Sequence, residues 1–468
     1  MTIPRIIPRA EHPISRGYID PDALRVLYRL HRAGFKAYLV GGSVRDLMTG
    51  RTPKDFDVGT DARPQEIRRL FRNSRIIGRR FRLAHILFEG GKVVEVSTFR
   101  RTPDPQEAEA GTEGEADLLI RSDNVFGTPE EDAARRDFTI NGLFYDISTY
   151  SVLDYVGGVE DLENRLVRTI GDPRIRFRED PVRMLRACEF AARLKFRMEP
   201  DLVDAVSELR GELRKSAAPR VTEELLDPLR RGWGHDTYRL WSETGLLGVA
   251  LSELSEAVRG HEAPYATFFW RMLHDLDARR EGGEKPEDPV LLGVLFLPLV
   301  LAAIRQRGKG GRVDPSQILL VLESVVNPLA LRMSLPNLAT HLVKQSLYTL
   351  GALTSTRPDQ PAARRLVTRS WFPHSLALLS LYSKASGRYQ EAASAWQDVL
   401  SRAGKPLAER ARPHLAAPAP FPEALVPPPA LLHAHAEPHV IPLPHEAPPA
   451  RRRRRRRGGR RPASAGPV

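Results

Sequence analysis

The spacing of apolar residues changes once along the chain, and this change restricts the fold to an α/β domain followed by helices. Between residues 20 and 100, helix and strand patterns alternate. The helix patterns cover residues 21–34 and 64–73, and the strand patterns cover residues 35–40 and 83–99. From about residue 160 to about residue 400 the spacing is helical. We therefore expect a small α/β head and an all-helical remainder.

The end of the chain differs from the rest in composition. Residues 413–450 are rich in proline and alanine, and the last eighteen residues hold nine arginines and no acid, within a net charge of +13 for the whole chain. Such a segment cannot bury a core, so we expect it to be disordered. Its charge favours a polyanion, and nucleic acid is the commonest one in cells.

Three features bear on the compartment. Cys188 is the single cysteine, which excludes an internal disulfide and fits a reducing environment. The N-terminus lacks the apolar core of a secretion signal. The apolar run at 290–304 has fifteen residues, fewer than the ~20 needed to span a bilayer. We expect a cytoplasmic protein without a membrane span, in which this run is a buried helix.

A glycine pair stands between the strand pattern that ends at Val40 and a following helix pattern. Gly41 and Gly42 let the backbone approach a ligand closely, and the N–H groups at a helix start favour an anion. Arg45, about one turn into the helix, can direct its guanidinium to the same place. The pattern indicates a phosphate site, although most glycine pairs at such corners only turn the chain.

Two carboxylates follow ten residues later, at Asp55 and Asp57, on either side of Phe56. In a strand they would project from one face while Phe56 points into the core. Two adjacent carboxylates repel each other unless a cation lies between them. Together with the glycine pair, they predict a two-metal site for nucleotidyl transfer, in which Mg²⁺ ions assist a 3′-hydroxyl and a leaving pyrophosphate. Glu95 on a neighbouring strand is a candidate third carboxylate, or else a solvated surface residue.

Five motifs in order resemble the class II tRNA nucleotidyltransferases and bacterial poly(A) polymerases, which belong to the superfamily of DNA polymerase β. They are LVGGSVRD, DFDV, RRDFTING, DYVGG and REDPVRMLRA, within about residues 35–245. The stretches around residues 70–88 and 120–141 are similar to the bacterial poly(A) polymerase branch in detail, as is the basic C-terminus.

The resemblance implies a polymerase β-like α/β head with an all-helical neck, body and tail region behind it, and a disordered basic C-terminus. The implied divisions are an N-terminal extension at 1–20, a catalytic head at 21–158, a base-recognising helical neck at 159–245, an RNA-binding helical body at 246–412 and a disordered tail at 413–468.

The resemblance also implies residue roles. Asp55 and Asp57 would be the catalytic pair that binds the metal, and Asp137 the third acidic position of the active site. Asp137 and Arg136 would face the sugar and the triphosphate. The nucleotide-binding set comprises Gly41, Gly42, Arg45, Arg136, Asp180, Arg183 and Arg186.

Base choice is predicted from the motif at 178–190. Asp180 can cap a helix that starts at Pro181, and its spacing from Arg183 and Arg186 places the three on one helix face. An aspartate accepts from an exocyclic amine and an arginine donates to the ring nitrogen beside it. Adenine and cytosine show that edge, so these protein side chains favour ATP or CTP over GTP or UTP.

One residue departs from the family pattern. The family often has a third arginine three residues after Arg186, where this chain has Glu189. A phosphate contact from that position is therefore in doubt, and Arg193 or Arg174 could replace it.

Three functions follow from these observations. The first is template-independent addition of AMP from ATP to RNA 3′ ends, with Mg²⁺ as cofactor and RNA-processing proteins as further partners. The second is CCA addition to tRNA by the same chemistry. The third is a non-catalytic RNA-binding protein, which intact Asp55, Asp57, Gly42 and Arg45 disfavour. The detailed motif match and the arginine-rich tail favour the first.

Overall fold

A mixed β-sheet forms the head in this computed structural model, which describes residues 3–78, 82–102, 125–259, 265–307 and 314–402. All of these residues belong to one compact unit, Met1–Ala436. Within the described residues the sheet has eight strands: β1 (Arg5–Ile7), β2 (Ala37–Val40), β3 (Val58–Thr60), β4 (Ser74–Ile77), β5 (Leu83–Leu87), β6 (Val93–Thr98), β7 (Leu143–Asp146) and β8 (Ser151–Asp154). Their order across the sheet is β1-β8-β7-β2-β3-β6-β5-β4.

The register of the sheet places β3 at its centre. It pairs antiparallel with β2 and parallel with β6, where Val58 is opposite Val96. The remaining neighbours pair antiparallel. The predicted N-terminal extension contributes β1 to this sheet, with Arg5 opposite Asp154, so the first residues are part of the head.

Helices cover the sheet because their apolar residues recur at helical spacing. The first helix, α1 (Pro21–Arg32), begins at Asp20, whose carboxylate accepts from the N–H groups of Asp22 and Ala23. It buries Ala23, Val26, Leu27 and Leu30. The other helices of the head are α2 (Gly42–Met48), α3 (Pro64–Leu70), α4 (Pro129–Ala134) and α5 (Gly158–Glu163).

The predicted alternation of helices and strands between residues 20 and 100 is confirmed, with one strand missed. The edge strand β4 has mostly exposed side chains, so its sequence shows no buried alternation. Its backbone pairs with β5 nonetheless, with Ile76 opposite Ala84.

The chain after the head is helical, as expected. Its helices are α6 (Pro173–Glu179), α7 (Arg183–Leu194), α8 (Pro200–Leu209), α9 (Ala218–Arg231), α10 (Gly234–Glu243), α11 (Leu246–Ala250), α12 (Ser252–Val258), α13 (Ala266–Glu281), α14 (Asp288–Arg307), α15 (Pro315–Arg332), α16 (Asn337–Ser355), α17 (Pro361–Val367), α18 (Phe372–Ser386) and α19 (Gln390–Arg402). Two short strands, β9 (Leu166–Val167) and β10 (Arg197–Met198), pair in parallel. The tail predicted at 413–468 lies outside the described residues.

Helix α14 is the apolar run that the sequence singled out. By length and composition it could cross a membrane, but 78% of its most apolar window is buried inside the protein. Leu291, Leu295 and Leu301 have no exposed surface. It therefore packs as a core helix, as predicted.

Candidate functional site

The loop between β2 and α2 needs glycine for two reasons. Gly41 has a φ of 68°, a conformation that L side chains rarely adopt. A Cβ at Gly41 would also lie 2.8 Å from Nη1 of Arg136. The structure therefore confirms the predicted strand, glycine pair and helix, and it brings the Arg136 guanidinium against the loop.

The sequence had predicted that the two aspartates lie within a strand, and this is wrong, because both precede β3. The backbone at Asp57 continues the pairing, because its carbonyl accepts from the N–H of Val40 at 3.1 Å. Phe56 is half-buried and packs against the core. The Asp55 side chain is 65% exposed and lies 3.6 Å from Nζ of Lys54. Ordered strand pairing thus begins two residues after Asp55.

Asp57 lies in an unfavourable environment for a carboxylate. Burial raises the pKa of Asp57 to about 6, with contributions from the charges of Glu95 and Asp55, while Arg136 opposes the rise. The register explains the influence of Glu95, which precedes Val96 as Asp57 precedes Val58. Three acidic side chains therefore influence one another at the start of β3.

Glu95 is the candidate third carboxylate of the sequence analysis, and its role as a metal neighbour stays a prediction. Its Oε1 lies 3.2 Å from Nε2 of His85 on the adjacent strand, and its side chain is 46% exposed. No group of three or more histidine, cysteine, aspartate or glutamate side chains among the described residues is close enough to hold a metal ion. The donors nevertheless have the oxygen chemistry that Mg²⁺ prefers, and a cation would offset the repulsion at Asp57.

The sequence predicted that Arg45 directs its guanidinium to the phosphate site, but in the structure protein side chains hold this guanidinium. Its guanidinium is buried, with Nε and Nη2 donating to Oδ1 of Asp46 at 2.9 and 2.8 Å. Nη1 donates to Oδ1 of Asn141 at 2.6 Å. The ring of Phe190 lies 4.9 Å from the guanidinium. Arg45 therefore links α2 to Asn141 in the head and to Phe190 in the neck, and its direct contact with a nucleotide stays a prediction.

Asp137 is also held by neighbouring side chains. Oδ2 accepts from Nε and Nη2 of Arg186 at 3.0 and 2.8 Å, and Oδ1 accepts from Nδ2 of Asn141 at 2.9 Å. Burial alone would raise the pKa of Asp137, but Arg186 and these hydrogen bonds lower it to about 2. Arg45, Asn141, Asp137 and Arg186 therefore form one network across the head and the neck.

Arg136 has a different partner from Asp137. Its Nε and Nη2 donate to Oδ2 of Asp132 at 3.1 and 2.9 Å, and the ring of Phe144 lies 5.2 Å away. These contacts direct the guanidinium toward Gly41 and place its charge near Asp57. Of the two residues that the resemblance assigned to the triphosphate and sugar, Arg136 is the one beside the glycine loop.

The predicted cap at Asp180 is wrong. Helix α6 ends at Glu179, Asp180 is its C-terminal cap, and α7 begins at Arg183 without a side-chain cap. The Asp180 carboxylate instead accepts from Nη1 and Nη2 of Arg220 at 2.9 and 2.8 Å. A bidentate arginine partner outcompetes backbone N–H groups that the intervening turn moves away.

Arg183 and Arg186 lie on α7 as predicted but bind different partners. Nη1 of Arg183 lies 3.2 Å from Oε2 of Glu179, whereas Arg186 binds Asp137. The charge of Arg183 still lowers the pKa of Asp137, so both arginines face the same region. Asp180 does not share a helix face with them, because it lies outside α7.

The alternatives suggested for the missing arginine are both engaged elsewhere. Arg174 binds Asp201 at 2.6 Å and Glu208 at 2.9 Å, on the side of the neck formed by α8. Nη2 of Arg193 lies 2.7 Å from Oδ2 of Asp46. Neither arginine is available to a phosphate in this structure. Glu189 itself is buried, and burial raises its pKa.

Several residues of the site escaped the sequence argument. Asn141 follows Asp137 by four residues inside a quoted motif, so its spacing was a usable signal. Arg220 and Glu224 come from α9, about forty residues after the motif they contact, and only folding brings them there.

Glu224 gives a stability prediction. Burial raises the pKa of Glu224 to about 7, against the opposing charge of Arg186 3.7 Å away. Because the folded carboxyl binds its proton more tightly than the unfolded one, stability falls as pH rises from about 4.5 to about 7. Glu224→Gln should therefore raise the unfolding temperature at pH 8 by roughly 2–4 °C and change it less at pH 4.5. Thermal unfolding at both pH values tests this, and a lower temperature at pH 8 would contradict it.

Two family models match parts of the chain. Residues 37–168 match the family model described as the poly A polymerase head domain, and residues 195–258 match the one described as a probable RNA and SrmB-binding site of polymerase A. The glycine loop, both aspartates, Glu95, Arg136 and Asp137 fall within the first match. Asp180, Arg183 and Arg186 lie between the two.

Relatives by sequence and by structure include poly(A) polymerases and CCA-adding enzymes. Poly(A) polymerase I of Escherichia coli O157:H7 is 39% identical over 365 residues, which cover 77% of this chain and 78% of that protein. A CCA-adding enzyme of Lactobacillus helveticus is 40% identical over 206 residues, 44% of this chain and 48% of that protein. Among solved structures, the CCA-adding enzyme of Bacillus stearothermophilus in complex with CTP has a TM-score of 0.57 at 25% identity and covers 82% of both chains.

Proposed function

The chain belongs to the family of poly(A) polymerase I, whose members are RNA 3′-nucleotidyltransferases, and we propose that it adds AMP from ATP to RNA 3′ ends without a template. The observation that carries this proposal is the cluster at the start of β3. Asp57 lies there in the fields of Glu95, Asp55 and Arg136, and Arg136 lies against the glycine loop. Carboxylates beside a glycine loop that carries an arginine guanidinium suit nucleotidyl transfer.

Asp55 and Asp57 would hold Mg²⁺, with Glu95 as a neighbour. When bound, the ions supply positive charge that lowers the pKa of the RNA 3′-hydroxyl and stabilises the leaving pyrophosphate. The raised pKa of Asp57 supports this assignment, because an added cation would favour its ionised form. The exposed side chain of Asp55 leaves its oxygens accessible from solvent.

The residues of the chain itself position the reactants. The N–H of Gly41 donates to the carbonyl of Leu143 at 3.1 Å, so the N–H of Gly42 and the guanidinium of Arg136 would face the phosphates, with Gly41 giving the loop its turn. The RNA 3′-oxygen forms a bond to the α-phosphorus as the bond to the pyrophosphate oxygen breaks, and the hydroxyl proton passes to solvent water. Negative charge that develops on the phosphates lies near Arg136, where a fixed cation stabilises it most.

Base selection rests on Asp180 and Arg183. Asp180 accepts from an exocyclic amine and Arg183 donates to the adjacent ring nitrogen, which favours adenine and cytosine. Both bases fit this pair, so the choice of ATP is supported by the relatives. Those named poly(A) polymerase I match along 77% of the chain, whereas the CCA-adding relative matches along 44%.

Arg220 gives a prediction about this selectivity. Its two hydrogen bonds at 2.9 and 2.8 Å fix the direction of the Asp180 carboxylate. Arg220→Ala should reduce the ratio of ATP to GTP incorporation by about tenfold, because an unfixed carboxylate discriminates less between base edges. Single-nucleotide incorporation with each triphosphate measures the ratio. An unchanged ratio would mean that Asp180 does not read the base.

Primer extension with one nucleotide at a time tests the proposal. One primer is a generic single-stranded RNA and the other is a tRNA transcript without its terminal CCA, each with Mg²⁺. Long ladders on the generic RNA with ATP alone are expected. Addition of three residues to the tRNA, requiring CTP and ATP, would favour the CCA-adding alternative. No extension of either primer would favour a non-catalytic RNA-binding protein.

The remaining assignments complete this proposal. We place RNA binding on the neck and body, and docking of an RNA-processing protein on residues 195–258, in keeping with the description of the matched family model. A cytoplasmic location is supported by the one cysteine, Cys188, which is free and buried.

A further inference from the structure

Asp46 is buried between two arginines at the helix that follows the glycine loop. It lies on α2, four residues after Gly42, and its Oδ1 accepts from Arg45 at 2.9 and 2.8 Å. Its Oδ2 accepts from Nη2 of Arg193 at 2.7 Å. The exposed fractions of the Asp46 and Arg193 side chains are 4% and 12%. Because Arg193 belongs to α7, this ion pair joins the neck to the loop helix.

The neck holds the Arg193 guanidinium in one orientation. It lies 4.9 Å from the ring of Trp233, close enough for a cation–π contact. Trp233 is itself fixed, because its Nε1 donates to Oε1 of Glu189 at 3.2 Å. The carbonyl of Arg193 also accepts from Nη1 of Arg51, just beyond α2, at 3.0 Å. Arg193 therefore contacts the head through both its side chain and its backbone.

The glutamate at position 189 explains why Arg193 can form its ion pair with Asp46 of the head. Glu189 is buried beside Trp233 and lies in the fields of Arg186 and Arg193. An arginine at position 189 would add a positive charge to this group and repel Arg193 from its place over Trp233. Glu189 instead offers an acceptor to the indole and an opposite charge to Arg193, so that Arg193 stays directed at Asp46.

We propose that Arg193 is a positioning residue for the nucleotide loop, acting through Asp46 and Arg45, and that Glu189 and Trp233 set its direction. The claim that this loop receives a nucleoside triphosphate rests on the proposed function. Arg45 lies beneath the loop, with Nη2 3.5 Å from where a Cβ of Gly42 would stand. Because Arg193 of the neck holds Asp46, and Asp46 holds Arg45, the ion pair also fixes the side chain on which the loop rests.

Steady-state RNA extension with varied ATP tests the role in binding. Arg193→Ala should raise KM for ATP by about tenfold or more while kcat changes by about twofold, because a displaced loop weakens nucleotide binding before it affects chemistry. Arg193→Lys keeps the charge but loses the planar stacking, so its KM should lie between those of the wild type and Arg193→Ala. Arg230→Ala is the matched control, since the Arg230 guanidinium binds Glu223 on α9 and Asp288 on α14 rather than Asp46.

Hydrogen exchange of the nucleotide-free protein tests the same proposal without any activity. Exchange of the α2 amides should be faster in Arg193→Ala than in the wild type and in Arg230→Ala. Asp46→Asn, which also weakens the contact with Arg45, should have at least as large an effect. The double variant Asp46→Asn/Arg193→Ala should add little to Asp46→Asn, because Arg193 acts through Asp46.

The outcomes separate this proposal from the proposed function. Faster α2 exchange together with a raised KM would support the positioning role. Unchanged exchange, an unchanged KM, or equal effects in Arg230→Ala would overturn it. Faster α2 exchange in a protein that extends no RNA would leave the ion pair's role in holding the loop supported and would refute the proposed function.

Discussion

Asp57→Asn should abolish RNA extension, with a loss of at least about a thousandfold, and should leave the protein as stable as the wild type or more stable. The loss of activity follows from the proposed metal site, because an amide removes a negative oxygen ligand where the reaction needs concentrated positive charge. The gain in stability follows from the environment of the carboxyl, whose pKa burial raises to about 6.

The sign of the pH dependence makes this prediction specific. The folded Asp57 carboxyl binds its proton more tightly than an unfolded one, whose pKa is 3.8. In metal-free buffer, wild-type stability should therefore decline from about pH 4 to about pH 6 and stay lower above it. The asparagine variant lacks this decline and should unfold roughly 2–4 °C higher at pH 8.

Extension assays and thermal unfolding in EDTA measure the two effects on the same preparation. Asp61→Asn is the matched control, because Asp61 lies just beyond the other end of β3 and accepts from the exposed N–H of Lys36 at 2.8 Å. It should retain both activity and pH dependence. An active Asp57→Asn protein would refute the assignment of Asp57 to the metal. An inactive variant with reduced stability at pH 8 would contradict the account of its pKa.

The sequence predicted those helices and strands that are determined by the apolar spacing within one short segment. Helix α1 and the strands β5 and β6 follow from apolar spacing, because each buries one face, and β2 follows from its short run of mostly buried apolar residues. The edge strand β4 was not predictable, because edge pairing fixes its backbone and leaves its side chains in solvent. The cap expected at Asp180 failed for a related reason, since its partner Arg220 lies forty residues away.

The candidate site also has a part that is predictable from local sequence and a part that depends on contacts between distant residues. The glycine loop and the aspartates form within one short segment, so their motif predicts their proximity. The roles of the arginines depend on pairs that span the chain, such as Arg186 with Asp137 and Arg193 with Asp46. A list of charged residues in a motif cannot tell which of them face a ligand and which hold one another. For this reason the sequence predicts Arg45 to be a phosphate ligand, whereas in the structure its side chain is buried.

Arg186→Ala should separate the head from the neck energetically. It removes both charged hydrogen bonds to Asp137 and leaves that carboxylate with Asn141 and the N–H of Phe138. The expected loss is about 2–3 kcal/mol of unfolding free energy, reduced from the cost of a fully buried pair because the Arg186 side chain is 36% exposed. RNA extension should fall by about a hundredfold, since the network also holds Arg45.

The pH dependence again has a definite sign. Arg186 is the main reason that the pKa of Asp137 falls to about 2, after burial has opposed it. A lowered pKa contributes stability that is complete above about pH 4 and is lost as pH falls toward 2. In Arg186→Ala that contribution should disappear, so wild type and variant should differ in stability at pH 7 and converge at the lowest pH at which both remain folded.

A second substitution distinguishes an unpaired charge from a missing contact. Asp137→Asn in the Arg186→Ala background removes the uncompensated carboxylate, so stability should recover in part while activity stays low. Arg230→Ala, which breaks the ion pair with Asp288 and removes no member of the head–neck network, should lower stability and leave extension unchanged. Denaturant unfolding and extension assays measure both quantities. If Asp137→Asn instead restored activity to Arg186→Ala, the pair would serve only to neutralise charge, and the network would have no part in holding the site.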